Sequence, residues 1–539
     1  MTTKIALPLA TRRADLMSDL AKPTQYDIAV VGGGATGLGV ALDAVVRGLR
    51  VVLIDSHDFA KGTSSRSTKL VHGGVRYLAQ GNISLVQEAL QERMRILNNA
   101  PYLAQPQTFV MPTYHWWEAP FYGIGLKMYD ALAGRAGLGK TELLSRAETL
   151  KYLPTLQARG LKGGVKYWDG QFNDARLALA LARTAAARGA LMINYCRAIE
   201  LTYDNGKVSG LVCEDQLIGN VYEVRSPCVV NATGVWVDEL RQKDGLAVPG
   251  HLGHTTQAMV APSQGVHMVV EREFLGSDAA LMVPKTADGR VLFAVPWLGK
   301  VILGTTDTPR NDLVREPLPF EEEIEFILKE SARYLRKAPT RRDIKSVWVG
   351  LRPLVKPPED EGSNTKGLSR EHTILVSRSG MVTVTGGKWT TYRAMAEDVL
   401  GKCAQHGLIS QTRPGLTRKL LLLGSGGAAT AVRPLCEAPG WHSYGVEQSF
   451  IRALPGADQE LCSGLTEAMV RFGARYEYAV MVEDILARRS RLLFLDARLA
   501  SELATRVGEI LHQETGINPQ TEEFQTLASQ YLLKTDKCL

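Results

Sequence analysis

Hydroxyl, basic and imidazole side chains are concentrated in one short stretch of the chain, HDFAKGTSSRSTKLVHGGVRYL (57–78). Groups of these types donate hydrogen bonds, so a loop that presents them together suits an anionic ligand. The alternative is an ordinary solvated loop whose Ser and Thr cap the next helix. The stretch directly follows a phosphate-binding unit, which favours a ligand-binding loop. The residues concerned are Ser64, Ser65, Thr68, Lys69, His72, Gly73, Gly74 and Arg76.

Two more cations occupy positions that suit an anion. Arg352 lies in an apolar segment, WVGLRPL (348–354). A buried guanidinium needs an anionic partner, and a bound ligand would supply one. Lys388 follows a Gly-Gly turn between a predicted strand and a predicted helix, where backbone amides and a cation together favour an anion.

One histidine, His267, lies in a predicted strand between Val266 and Met268. A lone histidine among apolar neighbours is more often a hydrogen-bonded core residue than a ligand. The segment GTTDTP (304–309) is likewise more typical of a turn than of a ligand contact. On their own, these residues do not indicate a function.

The element that must position these groups is DIAVVGGGATGLGVALDAVVRGLRVVLIDS (27–56). A β-branched apolar run predicts a buried strand (28–31), and a G-x-G-x-x-G turn follows at Gly32, Gly34 and Gly37. A helix and a second buried strand complete a βαβ unit. The first glycine permits the tight turn, the second lets backbone reach a pyrophosphate, and the third allows close helix packing. The unit therefore predicts a dinucleotide at the helix N-terminus.

Two features further along the chain support a dinucleotide. Asp55 ends the second strand 23 residues after Gly32, where a carboxylate can accept hydrogen bonds from a ribose. The segment CVVNATGVW (228–236) predicts a buried strand followed by an open turn. Its small residues, Ala232 and Gly234, would let backbone approach the same ligand from the other side.

The overall composition is that of a globular protein. Of its residues, 45% are hydrophobic and 22% are charged. The length of 539 residues is too great for one simple core and predicts two or three packed units. The formal net charge of +7 suits an anionic substrate or an anionic membrane surface. Seven scattered cysteines without a CxxC pair, and ten histidines without HExxH, predict neither a disulfide framework nor a metal site. No apolar run is long enough to span a membrane.

Outside the dinucleotide unit, the sequence pattern changes several times. The first 25 residues are interpreted as a polar leader tail, and residues 163–174 as a turn-rich loop. Strand-like pieces without a βαβ rhythm predict a mostly antiparallel sheet domain at about 251–346. Amphipathic helices, notably at 467–488 and 496–514, indicate a small helical domain at the C-terminus.

An aromatic and basic segment occupies residues 115–139. An amphipathic segment of this composition could lie in a membrane interface, whereas an aromatic stripe at helical spacing also fits a protein core. The sequence leaves both interpretations open. The residues in question are Trp116, Trp117, Phe121, Tyr122, Lys127, Tyr129 and Arg135.

Six motifs, spread in order over about 360 residues, are GGGATG (32–37), TSSRSTKLVHGGVRYL (63–78), NATGVW (231–236), GTTDT (304–308), GLRPL (350–354) and GGKWTTYR (386–393). On these motifs the chain resembles the FAD-dependent glycerol-3-phosphate dehydrogenases of the aerobic respiratory type, within the D-amino-acid-oxidase-like flavoprotein superfamily. The resemblance implies an α/β fold. It comprises a Rossmann-like FAD-binding domain of the glutathione-reductase/D-amino-acid-oxidase type, an inserted antiparallel-sheet substrate domain and a C-terminal helical domain.

The expected ranges follow from the same resemblance. They are an N-terminal extension (1–25), three FAD-binding segments (26–100, 161–250 and 347–406), two substrate-domain segments (101–160 and 251–346) and the C-terminal helical domain (407–539).

The resemblance implies oxidation of sn-glycerol 3-phosphate to dihydroxyacetone phosphate, with electrons passing through FAD to a membrane quinone. The alternative is an oxygen-reducing glycerol-phosphate oxidase or another oxidase of the superfamily, and a non-catalytic flavin-binding scaffold is an alternative from another class. A nicotinamide dehydrogenase is disfavoured by the second flavin-type turn (231–234). The implied location is cytoplasmic, peripheral on the inner face of the cytoplasmic membrane. No nucleic-acid partner is expected, and the sequence leaves a homodimer open.

The reaction needs a base, a cation near the developing oxyanion and a phosphate clamp. By resemblance, His267 is the base and Arg352 the cation. Val266 departs from the small hydroxylic residue that precedes the base in related enzymes, so the fine substrate geometry is not carried over. The implied substrate contacts are Arg76, Tyr77 and Lys388. The implied cofactor contacts are Gly32, Gly34, Gly37, Asp55, Ser64, Ser65, Lys69, His72, Ala232, Gly234 and Gly387.

Overall fold

The computed structural model describes residues 8–74, 82–247, 257–286, 289–356, 372–426, 432–462 and 464–533. Its strands are β1 Ile28–Val31, β2 Val51–Ile54, β3 Leu70–Val71, β4 Ala104–Thr113, β5 Glu142–Ser145, β6 Gly163–Phe172, β7 Leu191–Ile193, β8 Cys196–Asp204, β9 Lys207–Asp215, β10 Val221–Arg225, β11 Val229–Asn231, β12 Val260–Glu271, β13 Ala280–Val283, β14 Leu292–Trp297, β15 Lys300–Gly304, β16 Thr308–Pro309, β17 Ser346–Val355, β18 Thr373–Val376, β19 Val382–Thr385, β20 Glu460–Cys462 and β21 Leu465–Thr466. Its α-helices are α1 Arg13–Leu20, α2 Ala35–Val46, α3 Ile83–Asn99, α4 Glu118–Ala133, α5 Arg146–Tyr152, α6 Asp174–Ala187, α7 Val237–Ala247, α8 Glu321–Tyr334, α9 Tyr392–Gln405, α10 Gln448–Arg452, α11 Glu467–Tyr476, α12 Leu492–Leu495, α13 Ala497–Thr515 and α14 Thr521–Gln530.

A six-stranded sheet contains the predicted βαβ unit, in the order β18-β19-β11-β1-β2-β7. Its strands run parallel except for the edge strand β18. Val30 of β1 pairs with Leu53 of β2 on one side and Val230 of β11 on the other. Helices α2, α6 and α9 cover one face, and α1 with the three-stranded sheet β8–β10 covers the other. Both faces are therefore buried, as the continuous apolar sequence of β1 and β2 requires.

The N-terminal extension is part of this covering layer. Helix α1 buries Met17 and Leu20 against the sheet, and the Thr11 amide donates a hydrogen bond to the Arg475 carbonyl at 2.9 Å. The interpretation as a polar leader tail is therefore wrong for residues 8–25. Two apolar side chains on one face of a short helix are enough to dock it, and the surrounding charges conceal them in the sequence.

The second sheet follows the order β16-β12-β15-β14-β13-β4-β6-β3, with β17 paired to β12 and β5 to β6. It is mostly antiparallel, as predicted, with a parallel pairing between β13 and β4. The prediction of a turn-rich loop at 163–174 is wrong, because ten of these residues form β6, along which β4 pairs throughout. The glycines in β6 allow close approach rather than turns: a Cβ at Gly170 would lie 2.6 Å from the Val71 carbonyl oxygen.

The C-terminal domain is helical, as predicted. Helix α13 matches the expectation for 496–514 and is capped by Asp496, whose side chain accepts from the Leu499 amide at 3.1 Å. The other predicted helix, 467–488, is interrupted. Helix α11 ends at Tyr476, Tyr478 has a positive φ of 60°, and a π-turn follows at Asp484–Arg489.

Buried ion pairs join the C-terminal domain to the first sheet. On α6, Arg176 binds Glu477 through two hydrogen bonds of 2.8 and 3.2 Å, and Arg183 binds Glu447 through two of 2.6 and 2.7 Å. These forked geometries match the planar guanidinium to the carboxylate. Among the residues that the structure describes, no helix is both long and apolar enough to cross a bilayer.

Candidate active site

The glycine turn after β1 brings three parts of the chain into contact. Gly32 has a φ of +112°, and a Cβ there would lie 2.5 Å from the Ala232 carbonyl oxygen. A Cβ at Gly37 would collide with the Gly32 carbonyl oxygen. The Ser64 hydroxyl accepts a hydrogen bond from the Ala35 amide at 2.9 Å. Ser64 belongs to the polar 57–78 stretch, called the polar loop below, so a residue of this loop caps the start of α2. The turn therefore requires glycine for steric reasons, and it leaves room for a ligand beside the helix N-terminus.

Asp55, at the end of β2, accepts hydrogen bonds from the amides of Gly33 at 2.5 Å and His57 at 2.8 Å. Burial raises the pKa of this carboxyl group to about 6, although the two amides oppose the shift. Burial also lowers the pKa of His57 to about 4, with help from Lys61 and Arg315. The cleft thus holds a carboxylate whose charge is poorly solvated, next to a neutral imidazole.

A cleft opens at the carboxyl ends of β1, β2 and β11, where open α/β sheets bind ligands. Six of the predicted cofactor residues line it: Gly32, Gly34, Asp55, Ser64, Ala232 and Gly234. Lys61 of the 57–78 stretch also lines it, and the sequence reasoning missed three further cations in its wall: Arg197, Lys243 and Arg315. They come from β8, α7 and a loop, and the Arg315 guanidinium lies 4.1 Å from the Trp236 ring centroid. No short motif joins these positions, so the sequence carries no signal for them.

Lys69 forms a buried ion pair behind the polar loop. It has a φ of +65°, and its fully buried ammonium donates to the Asp174 carboxylate and to the Ser65 carbonyl, each at 2.7 Å. The Ser67 hydroxyl donates to the same carboxylate at 2.7 Å. Burial lowers the pKa of Lys69 to about 7. Burial alone would raise the pKa of Asp174, but Lys69 and Arg491 together lower it. The ammonium thus supports the loop from behind, and its predicted cofactor contact stays a prediction.

His267 lies on β12 and is almost fully buried. Its Nε2 is 2.9 Å from the Thr68 hydroxyl, and its ring stacks on Trp348 with a centroid distance of 5.3 Å and an angle of 15°. Within the described residues, its Nδ1 has no hydrogen-bond partner. Burial lowers the pKa of His267 well below its ordinary value, and the nearby charges of Lys69 and Arg352 lower it further. The imidazole is therefore neutral at physiological pH and able to accept a proton.

Arg352, on β17, is held by several acceptors. Its guanidinium donates to the carbonyl oxygens of Gln264 at 3.1 Å and Thr306 at 2.9 Å, to the Thr305 hydroxyl at 3.1 Å and to the Asp307 carboxylate at 3.0 Å. The expectation that a ligand supplies the anionic partner is therefore corrected, because Asp307 of the GTTDTP segment already does so. This segment is not simply a turn.

The Gly-Gly-Lys turn lies against the polar loop. Gly386 and Gly387 have positive φ values of 81° and 75°, and the Thr390 hydroxyl accepts a hydrogen bond from the His72 amide at 3.2 Å. The indole of Trp389 donates to the Ser64 carbonyl at 2.8 Å. The structure thus brings the 386–390 segment, with Lys388, beside the loop that caps α2. Two predicted substrate contacts, Arg76 and Tyr77, lie outside the described residues.

Comparison with known proteins identifies the family. Residues 27–393 match the family described as FAD dependent oxidoreductase. Over 97% of the chain, the sequence is 39% identical to the mitochondrial glycerol-3-phosphate dehydrogenase of Rattus norvegicus, of which it covers 75%. The chain belongs to the FAD-dependent glycerol-3-phosphate dehydrogenase family. Its C-terminal residues 441–522 match the family described as C-terminal domain of alpha-glycerophosphate oxidase.

Other members of the glycerol-3-phosphate dehydrogenase family agree with this assignment. The mitochondrial enzyme of Arabidopsis thaliana is 38% identical over 95% of the chain and 86% of its own length. The crystal structure of the glycerol-3-phosphate dehydrogenase from Bacillus halodurans, complexed with FAD, superposes with a TM-score of 0.75 at 28% identity, covering 98% of this chain and 99% of that one. The protein is an oxidoreductase and its cofactor is FAD.

The cleft fits the FAD of a glycerol-3-phosphate dehydrogenase. Its wall combines a turn that a Cβ would fill, the Asp55 carboxylate and four cations. Backbone amides and cations match a pyrophosphate, and a carboxylate matches ribose hydroxyls. The polar loop and the Gly-Gly-Lys turn continue from this cleft towards the second sheet.

Proposed function

We propose that the protein oxidises sn-glycerol 3-phosphate to dihydroxyacetone phosphate, with electrons passing through FAD to a membrane quinone. The observation that carries the proposal is the hydrogen bond between Thr68 and His267. It joins the polar loop, which lies beside the cofactor cleft, to β12 of the second sheet. A neutral base, a fixed cation and the cofactor site therefore converge, which is the arrangement that alcohol oxidation needs.

The cofactor is assigned to residues of the turns at 32–37, 231–234 and 386–388 and to residues of the polar loop. The turn at Gly32 and Gly34 would hold the pyrophosphate, and Asp55 the ribose. The remaining assignments, which rest on the motifs and on position in the fold, are Gly37, Ser64, Ser65, Lys69, His72, Ala232, Gly234 and Gly387. When bound, FAD supplies the acceptor for the hydride of the carbinol carbon.

His267 takes the hydroxyl proton of the substrate. We assign Nε2–H as the donor to the Thr68 hydroxyl, which leaves the lone pair on Nδ1 to accept that proton. Burial keeps the ring neutral before the reaction, so it is in the correct protonation state. Trp348 beneath the ring limits its rotation and excludes water.

Arg352 orients the alcohol and stabilises the negative charge that develops on its oxygen. Its acceptors fix the guanidinium before substrate binds, so little reorganisation is needed as charge develops. The phosphate of the substrate is assigned to Arg76, Tyr77 and Lys388. Of these, Lys388 lies on the turn that contacts the polar loop.

An exposed apolar face supports attachment to a membrane surface. Helix α4 buries Leu126 and Tyr129 towards the protein, so part of the aromatic segment is core. Its other face is exposed, with Phe121 at 65% and Ile124 at 63% of their full accessibility, and Lys127 beside them. The exposed apolar residues of this membrane face are Trp116, Trp117, Phe121, Ile124, Met128 and Leu143. Apolar and basic groups together suit the headgroup region of a bilayer, and we place the protein peripherally on the cytoplasmic membrane.

Oxygen is the alternative electron acceptor. The match of residues 441–522 to the family described as C-terminal domain of alpha-glycerophosphate oxidase favours this second candidate. The two functions differ only in how the reduced cofactor is reoxidised.

The purified holoenzyme tests both steps. We expect anaerobic glycerol 3-phosphate to bleach the flavin absorbance, while glycerol and other small alcohols without a phosphate do not. The bleached protein should recover its absorbance on adding a soluble quinone and form little peroxide in air. Flavin that stays oxidised with glycerol 3-phosphate would reject the substrate. Stoichiometric peroxide without quinone would favour the oxidase.

A further inference from the structure

One segment of the C-terminal domain reaches the buried side of the active site. After the π-turn at Asp484–Arg489, the chain passes through Arg491, which has a left-handed backbone with a φ of +68°, and enters the short helix α12. The side chains of Arg491 and Phe494 are both fully buried. Neither belongs to a motif of the substrate or cofactor site.

Phe494 completes an aromatic stack under His267. Its ring meets Trp348 edge-on, with a centroid distance of 5.1 Å and an angle of 73°, and Trp348 in turn stacks on the imidazole. The Lys69 ammonium lies 5.3 Å from the Phe494 ring and 5.4 Å from the Trp348 ring. The C-terminal domain thus supplies the far wall of the pocket that encloses the imidazole.

Arg491 shares both acceptors of Lys69. Its guanidinium donates to the Ser65 carbonyl at 2.7 Å and lies 3.2 Å from the Asp174 carboxylate. A second hydrogen bond, to the Ala487 carbonyl at 2.8 Å, ties it to its own domain. The loop that carries Thr68 is therefore fixed from below by a cation of the C-terminal domain.

We propose that the C-terminal domain positions the catalytic histidine, with Phe494 holding the Trp348–His267 stack and Arg491 holding the loop that bears Thr68. The proposal rests on the role assigned to His267 in the proposed function. Phe494 and Arg491 are positioning residues, because they act through Trp348 and Ser65 and not on the substrate.

The charges around the imidazole explain why its position matters. Lys69 faces it from the polar loop, with Asp174 and Arg491 behind, and Arg352 faces it from β17, with Asp307 behind. Burial is the largest cause of the low pKa of His267. A looser aromatic wall would admit water, raise that pKa and misplace the ring relative to the substrate.

The test is Phe494→Leu in the full-length holoenzyme, with Phe472→Leu as the matched control. Phe472 is equally buried in the same domain, but it packs on Tyr444 and not on Trp348. We expect Phe494→Leu to slow anaerobic flavin reduction about 10-fold or more at unchanged flavin content, with a much smaller change in KM. In this variant, the acid limb of the pH profile of the flavin-reduction rate should move to higher pH. Phe472→Leu should change neither the rate nor the pH profile.

A direct titration separates this proposal from the proposed function. In protein labelled with ¹³C-histidine, with the His267 signal assigned by its loss in His267→Ala, Phe494→Leu should raise the measured pKa of His267 and Phe472→Leu should not. This readout stays valid even if His267→Ala keeps full turnover. That result would reject His267 as the catalytic base, but it would not reject the positioning of its ring by Phe494. Equal pKa shifts in both Leu variants, or none in either, would overturn the positioning role. Phe494→Met, whose flexible side chain adapts to an irregular gap, serves if Phe494→Leu does not fold.

Discussion

The Asp55 carboxylate accepts a hydrogen bond from the Gly33 amide across the turn between β1 and α2. Asp55, at the end of β2, therefore fixes the glycine turn that follows β1. If Asp55 binds the ribose as proposed, one carboxyl group serves both the ribose and the turn assigned to the pyrophosphate, and its protonation should affect both.

FAD affinity should depend on the protonation of Asp55. The folded pKa of about 6 lies above the ordinary 3.8, so the carboxyl group of the flavin-free protein takes up a proton as pH falls through 6. The ionised carboxylate is the form that accepts the ribose hydroxyls, so the dissociation constant of FAD should rise about tenfold per pH unit below that point. Fluorescence titration of the apoprotein with FAD measures it. In Asp55→Asn, binding should be weaker and this pH dependence absent. An unchanged slope would exclude Asp55 as its origin.

The same shift affects the stability of the flavin-free protein. A carboxyl group whose pKa is raised by folding stabilises the fold most below 3.8, and this contribution is lost as pH rises through about 6. Asp55→Asn should remove that decline from the free energy of unfolding measured by urea titration at several pH values. Identical pH curves for the two apoproteins would contradict the prediction.

Breaking the buried Lys69–Asp174 pair should be costly. Both side chains are fully buried, and Lys69→Met leaves the Asp174 carboxylate with Arg491 as its remaining cation, so the variant should lower the free energy of unfolding by about 3 kcal/mol, the low end for a broken buried pair. The control is Lys22→Met, because the Lys22–Asp19 pair is solvent-exposed and worth about 0–1 kcal/mol. Denaturant unfolding of the holoproteins compares them. Equal small losses in both variants would show that the buried pair contributes little.

Gly304 should be required for the position of His267. A Cβ at Gly304 would lie 2.8 Å from the His267 Cδ2 and 2.9 Å from the Val266 carbonyl oxygen. Gly304→Ala should therefore displace the imidazole and lower turnover about 10- to 100-fold, with flavin content unchanged. Gly401→Ala is the control, since nothing lies within 4 Å of a Cβ there. Steady-state assays with a soluble dye measure both, and wild-type turnover in Gly304→Ala would refute the prediction.

Charges placed on the membrane face should release the protein from lipid. Phe121→Glu with Ile124→Glu should abolish co-sedimentation with phosphatidylcholine–phosphatidylglycerol vesicles at low salt, while dye-linked turnover stays unchanged. Ile218→Glu is the matched control, because Ile218 is 66% exposed in a hairpin turn away from α4. If the double variant still sediments with vesicles, the membrane contact lies elsewhere.

The sequence predicts those parts of the fold whose local pattern determines the structure. The turn at Gly32, Gly34 and Gly37 forms as expected, because the strand, turn and helix that define it are consecutive in one βαβ unit. The apolar neighbours of His267 likewise predict its strand. Glycine-rich β6 could not be predicted as a strand, because its glycines serve close contacts with neighbours that come from elsewhere in the chain.

Long-range electrostatics could not be predicted from local sequence. Lys69 stands in a motif of ligand-binding residues, yet its partner Asp174 is 105 positions away. Arg491, with which Lys69 shares that carboxylate, comes from another domain. Nothing in the local sequence shows that a buried carboxylate pairs with this ammonium. The cleft cations Arg197 and Arg315 were missed for the same reason.

The two arginine–glutamate forks on α6 also bear on the history of the chain. Arg176 and Arg183 lie in a helix of the FAD-binding domain, but their partners Glu477 and Glu447 belong to the C-terminal region. A chain that kept this region but lost either arginine would bury a glutamate carboxylate without its cation. The two arginines are therefore a condition for docking the domain, and we expect them wherever the domain is present.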